Sequence, residues 1–340
     1  MAETKEFNPI TAKELTASIK FGMNLGNTFD ATGSSGLDTE TSWGNPKITP
    51  ELLAALKAGG LDVIRLSTSW EPHLDAEYNI DPAWMDRVQS VVDSAIDAGL
   101  YVILNTHHED KRLLPMIAAA DFDGAHKELS RVWAQIAQRF GGYDEHLIFN
   151  IFNEPRQVGS PLEWQGGTAE VRETINKLNV ELLKQIRTSG GNNAKRIVMV
   201  TPVQASIWYA AHLDLPWNDP YMLVSIHAYE PYDFALNRAG TDKFPANSNI
   251  KDVFGRIDQL FVSKGAAVIM DETGAMNKNG NLKERVAWAK EFSSYARSLN
   301  VPVVLWDNGV TDVAKGESFG LIDRATCEWI YPEIVEEFVK

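Results

Sequence analysis

Eight short apolar runs, each closing on polar or charged residues and set apart by stretches with helical spacing, constrain this chain more than any other feature. They are "FGMNLGN" (21–27), "LDVIRLS" (61–67), "YVILNTHHE" (101–109), "LIFNIFNEP" (147–155), "RIVMVTP" (196–202), "MLVSIHAY" (222–229), "AAVIMDETG" (266–274) and "VPVVLWDNG" (301–309). Between the first two, "TPELLAALKAGG" carries a Thr N-cap, a Pro at the first helical position and a closing Gly-Gly. "WMDRVQSVVDSAIDAGL" puts Val88, Val91, Val92 and Ile96 on one face and stops at Gly99. Apolar strands alternating with helices read as parallel βαβ units, and eight of them close a barrel. The expectation is an α/β fold, a (β/α)8 TIM barrel in one domain over residues 1–340, with 1–19 as an N-terminal extension. A length of 340 residues permits two domains, but barrels reach this size as one, and no Pro/Ser/Gly linker or charge block divides the chain. No Gly-rich phosphate loop follows a strand, which argues against a nucleotide-binding open sheet.

Charge and cysteine usage narrow the partners. A formal charge of -14 repels phosphate backbones, so a nucleic-acid partner is not expected. The single cysteine, Cys327, rules out an internal disulfide and a cysteine-built zinc site. No long apolar run and no basic-then-apolar leader precede Phe7, so neither a membrane span nor a signal peptide is expected in the sequence as it stands, and a removed leader stays open.

In such a barrel, chemistry gathers at the C-terminal ends of the strands. Those ends supply Asn24 and Asn27, Arg65, His107 and His108, Asn153 and Glu154, His227 and Tyr229, Asp271 and Glu272, and Trp306, Asp307 and Asn308. Any one alone reads more readily as a cap, a structural ion pair or a satisfied buried group; together at one mouth they read as a site. Glu154 and Glu272 end the fourth and seventh runs, on roughly opposite sides of an eight-strand ring. Two carboxylates facing each other across one mouth suit glycoside hydrolysis, one as general acid and the other as nucleophile or base. Neighbours on a strand point to opposite faces. If Val268, Met270 and Glu272 share the inward face, Asp271 points outward under the helices, and this parity favours Glu272.

The ordered motifs "NLGNTFDA", "TSWGNP", "VIRLS", "LNTHHE", "FNEP", "HAY", "DETGA" and "LWDNG" resemble glycoside hydrolase family 5, most closely its bacterial endo-β-1,4-glucanase branch with xyloglucan-active members. The resemblance runs from about Lys20 to Tyr331. It implies that Glu154 is the acid/base and Glu272 the nucleophile of a retaining double displacement. It further implies that Arg65 keeps Glu272 ionised, Asn153 binds the sugar 2-hydroxyl, and Tyr229 hydrogen-bonds the nucleophile. His107, His108 and His227 would line the cleavage subsite, with Trp306 as the platform under its sugar. A nearby guanidinium lowers a carboxyl pKa, so Arg65 belongs beside Glu272 rather than Glu154. Trp43 and Trp208 are expected as outer platforms, with core packing the alternative, and Asn24 and Asn308 as further substrate contacts.

Two positions depart from the usual pattern of that family: Asp271 stands where Gly commonly precedes the nucleophile, and Ser67 where Pro often follows the Arg. A carboxylate at 271 can raise the pKa of Glu272 or take Arg65 for itself. The substrate implied is a plant cell-wall β-1,4-polysaccharide, as cellulose, mixed-linkage glucan or xyloglucan, with a β-mannanase as the alternative. No cofactor and no metal are expected, the chain acts as a monomer, and a polymer substrate implies a secreted, periplasmic or cell-surface enzyme. A rival reading is a metal-dependent barrel hydrolase using His107, His108, His227 and Asp271, but adjacent histidines ligate together with difficulty from a regular strand. A non-catalytic carbohydrate-binding barrel would require loss of one glutamate, and both are present.

Overall fold

Residues 49–60 show how local chemistry sets the elements. Thr49 accepts a hydrogen bond from the Leu52 N–H (3.3 Å), Pro50 takes the first helical position, and Gly60 turns the chain away at φ 90°, bounding a helix over Pro50–Ala58. In the computed structural model, which describes residues 6–340, this pattern recurs around a closed barrel. Its strands are β1 (Phe21–Leu25), β2 (Val63–Leu66), β3 (Tyr101–Asn105), β4 (Leu147–Asn150), β5 (Val198–Val200), β6 (Met222–His227), β7 (Ala267–Thr273) and β8 (Val303–Asp307). Each pairs in parallel with the next, and β8 closes on β1. The expected (β/α)8 barrel is therefore the one observed. The strands are shorter than the apolar runs: β4 ends at Asn150, so Asn153 and Glu154 stand on the loop above it.

Alternation along the strands builds two cores. Ile64, Leu66, Val102, Leu104, Phe149, Val224, Val268, Met270 and Leu305 face outward and pack with the surrounding helices. Val63, Ile103, Ile148, Met199, Leu223, Ile269 and Val304 fill the barrel interior. Below them lies the helix Ala12–Ser18, whose Ala12 and Leu15, with the following Ile19, join the interior cluster. Residues 12–19 of the segment expected as an extension thus close the barrel floor; residues 1–5 lie outside the described residues.

Two residues above the apolar positions, the inward side chains turn polar: Asn24, Arg65, Asn105, Asn150, Thr201, Ser225 and Asp271, all fully buried, with half-buried Trp306 after Val304. This belt is the floor of the cleft. On β7 the alternation breaks. Ile226 pairs with Met270 but His227 with Glu272, and Met270 and Thr273 span only Val303 to Leu305 on β8, so one extra residue bulges there. This corrects the parity expectation. Val268 and Met270 face the helices, Asp271 follows Ile269 inward, and the bulge brings Glu272 to the same side.

Candidate active site

The site is organised around the fully buried Arg65 guanidinium, which rises from the inward face of β2. Its Nη1 donates to Glu272 Oε2 (3.1 Å) and Asn24 Oδ1 (3.0 Å), and its Nη2 to Asn153 Oδ1 (2.8 Å) and Asn150 Oδ1 (3.2 Å). Nε lies 3.1 Å from Asp271 Oδ2. Arg65 therefore serves both carboxylates of β7. Tyr229, two residues beyond His227, donates its hydroxyl to Glu272 Oε1 (2.9 Å). Burial and the Glu272 charge raise the Tyr229 hydroxyl well above its ordinary pKa, so it remains a donor.

Glu154 meets Glu272 across the barrel axis. A carboxylate oxygen of each, and a ring nitrogen of His227, all lie within 4.8 Å of one another. His227 Nδ1 is 3.0 Å from Glu154 Oε1 and 3.9 Å from Glu272 Oε2, while Nε2 is 3.6 Å from Asp271 Oδ2. Burial opposes charge on this imidazole, yet Glu272 and Asp271 raise its pKa to about 10, so it is an imidazolium at neutral pH. Burial and the Glu154 charge raise Glu272. Burial pushes Glu154 up as well, but the His227 hydrogen bond and charge more than offset it and leave it lowered. The two glutamates titrate as a pair, and geometry decides which one carries the proton of the singly protonated state. Both Glu272 oxygens already accept, Oε2 from the Arg65 guanidinium, which can only donate, and Oε1 from the Tyr229 hydroxyl, whereas Glu154 Oε2 has no partner among the described residues. That proton belongs on Glu154.

The walls come from the other strand ends. His107 Nδ1 lies 3.1 Å from Asn105 Nδ2, so it accepts, and its ring is parallel to Trp306 at 5.7 Å. Burial, then the charge of His108, pushes the His107 pKa well below the ordinary value, so this ring is neutral. The outer edge of the Trp306 indole lies against Gly26, where a Cβ would sit 2.5 Å from its ring, so only glycine admits the indole there. His108 contacts Trp43 (centroids 5.9 Å), and Trp43 and Trp208 are each about 40% exposed at the rim. Asn153 keeps its side-chain amide N–H groups free of partners among the described residues, pointing to ligand contact.

Two expected substrate contacts are corrected. Asn24 is fully buried, donates to the Asp271 carbonyl (2.9 Å) and accepts from Arg65, so it braces the site. Asn308 donates to the Glu317 carbonyl (2.8 Å) and accepts from the Val310 and Phe319 N–H groups, so it ties a loop. The four ligands of the metal reading also separate: His107 and His108 converge with Asp30, whereas His227 groups with the two glutamates. Sequence reasoning missed Asn150 and Ser225, whose signal was their inward phase with Ile148 and Leu223. It also missed the rim residue Trp164, 58% exposed under Arg156 (4.8 Å), which no strand-end rule reaches.

Comparison with known proteins bears on this geometry. The cellulase family, glycosyl hydrolase family 5, matches residues 26–312. The chain is similar to Endoglucanase 1 of Ruminococcus albus, with 45% identity over 334 residues, covering 96% of this chain and 80% of that protein. Among solved structures it is similar to a GH5-4 broad specificity endoglucanase from Ruminococcus champanellensis with bound cellotriose: TM-score 0.93, 41% identity, 99% of this chain and 100% of the other. A GH5 family lichenase from Caldicellulosiruptor sp. F32 aligns with TM-score 0.92 at 34% identity, covering 98% of this chain and 96% of its own.

Proposed function

This chain belongs to glycosyl hydrolase family 5, and on that premise we propose that Glu154 is its acid/base and Glu272 its nucleophile. The enzyme is an endo-acting, retaining β-1,4-glucanase of the cellulase type. The observation that carries the residue roles is the approach of the two carboxylates to within 4.8 Å, oxygen to oxygen. Retaining enzymes place the carboxyl groups roughly 5 to 5.5 Å apart, whereas inversion needs roughly 6.5 to 9.5 Å to admit a water.

In the first step a Glu272 oxygen attacks the anomeric carbon, the glycosidic C–O bond breaks, and the Glu154 proton passes to the departing oxygen. In the second, Glu154 takes a proton from water, the water oxygen attacks the same carbon, and Glu272 leaves. Arg65 and Tyr229 donate to Glu272 throughout and favour it as nucleophile and as leaving group. The Asn153 amide faces the sugar 2-hydroxyl, where hydrogen bonds strengthen as oxocarbenium character develops.

A 2-fluoro glycoside with a good leaving group should leave a covalent adduct on the peptide containing "VIMDETGA", with the label on Glu272. Mass mapping to Asp271 would reassign the nucleophile, and a first product of inverted configuration would exclude double displacement. The pH profile should be a bell, lost in acid as Glu272 takes a proton and in alkali as Glu154 gives one up. Arg65→Ala removes a cation beside Glu272, which raises the Glu272 pKa and moves the acidic limb to higher pH. An unmoved limb in a folded variant would show that Arg65 acts on another group.

The preferred polymer is a finer matter. We propose a broad β-glucan range, including mixed-linkage glucan and xyloglucan, supported by the open rim carrying Trp43, Trp164 and Trp208. Product profiles on a panel of β-1,4-polysaccharides test it, and preferential cleavage of mannan would favour the β-mannanase alternative. No helix among the described residues is long and apolar enough to cross a membrane. A polymeric substrate supports action outside the cytoplasm, and we propose a monomer.

A further inference from the structure

The buried carboxylate of Asp271 has no part in either step above, yet it touches both side chains that govern the two glutamates. Its Oδ1 accepts from the Ser225 hydroxyl (2.7 Å). Its Oδ2 lies 3.1 Å from Arg65 Nε and 3.6 Å from His227 Nε2. Its carbonyl accepts from Asn24, whose Oδ1 in turn holds Arg65 Nη1. Arg65 Nε, His227 Nε2 and Asp271 Oδ2 are all buried and lack an aligned hydrogen bond, and they meet at this one place. Without the Asp271 charge, the two N–H groups would be left there with nothing to offset them.

We propose that Asp271 is a positioning residue: it anchors Arg65 and His227 at their far ends, so that the N–H groups at their near ends are aimed at Glu272 and Glu154. The inference rests on the roles given above to those two glutamates. With Nδ1 donating to Glu154 Oε1, whose acid proton sits on Oε2, a neutral imidazole would turn a bare lone pair toward the Asp271 carboxylate 3.6 Å from Nε2, so this placement suits an imidazolium. The groups that act on it are Glu154, Asp271, Glu272, Arg65 and His107. In the singly protonated site, Arg65 and His227 carry two positive charges against the negative charges of Asp271 and Glu272. Removing Asp271 leaves a net positive buried cluster that sheds the His227 proton first. Burial pushes Asp271 up, but His227 and Arg65 outweigh it and hold it lowered, in keeping with a permanent anion.

Asp271→Asn keeps the volume and an acceptor for Ser225 but removes the charge. Nitrogen NMR of the His227 ring should show both nitrogens protonated from about pH 5 to 8 in the unaltered enzyme, and loss of one proton within that interval in the variant. On soluble β-glucan kcat should fall by up to about 10²-fold, the scale of a misaligned site, with KM nearly unchanged. The acidic limb should move to lower pH, because Glu272 loses a negative neighbour while His227 is still charged in acid. Ser225→Ala, which keeps the charge and frees its orientation, should lower kcat by a smaller factor and leave His227 protonated. An Asp271→Asn enzyme with unaltered kcat, limb and His227 titration overturns the proposal; if that variant does not fold, unaltered kcat in Ser225→Ala overturns it. The 2-fluoro adduct keeps the two readings apart. Label on Glu272 with an insensitive Asp271→Asn overturns this inference alone, and label elsewhere overturns the assigned roles.

Discussion

Glu154→Gln is expected to slow hydrolysis of soluble β-glucan by about 10² to 10⁴, the range for losing general acid and base assistance. The replacement isolates the proton, because a glutamine oxygen still accepts from His227 Nδ1 and the side-chain volume is retained. An aryl glycoside whose leaving group is stable as an anion hardly needs that proton, so its glycosylation step should be affected far less. Its covalent intermediate should then accumulate, since water lacks a base. Added azide needs no base; it should attack the anomeric carbon, release Glu272 and give a β-configured glycosyl azide. Equal losses on both substrates, with no azide product, would move the acid/base role to another group.

Glu272→Ala should be more damaging, by at least about 10⁴-fold, because the covalent route itself is removed and not merely assisted less well. No 2-fluoro adduct should form. Azide entering the vacated space should attack from the nucleophile's side and yield an α-configured glycosyl azide, the opposite outcome to Glu154→Gln. The fold should survive, since Arg65 keeps Asp271 at 3.1 Å and is not left as an unpaired buried charge. Near-ultraviolet circular dichroism checks this, and an active, folded Glu272→Ala would transfer the nucleophile to Asp271.

Much of this arrangement was legible in the chain, for identifiable physical reasons. Eight apolar runs separated by helical spacing read as the barrel because burial on both faces and parallel connection leave such a pattern. Arg65, Glu154, Glu272, His227 and Tyr229 were found by looking at strand ends, and the structure brings them together. The same rule misplaced Asn24 and Asn308. A polar residue at a strand end is equally able to brace the site or tie a loop, and sequence does not show which partners its atoms have. Parity failed because the inward phase was taken from Val268 and Met270, which face the helices, and because the bulge that brings Glu272 to the side of Asp271 is a backbone event with no compositional mark in "VIMDETG". Reading phase upward from the barrel floor, through Ala267 and Ile269, would have turned Asp271 inward.

That added residue separates two properties that a regular strand would bind together. Where side chains strictly alternate, an inserted charge beside the nucleophile lands among the helices, and changing the pH response means moving some other element. Here the aim of Glu272 is written in the backbone of β7, while the local charge is written in the side chain at 271, and both face the same space. Stereochemical course and working pH thus become independently adjustable within a single strand end. An enzyme of this build can have its acidic limb moved at one position, at the cost in kcat that the contacts of Asp271 with Arg65 and His227 impose, with its anomeric outcome left as it was.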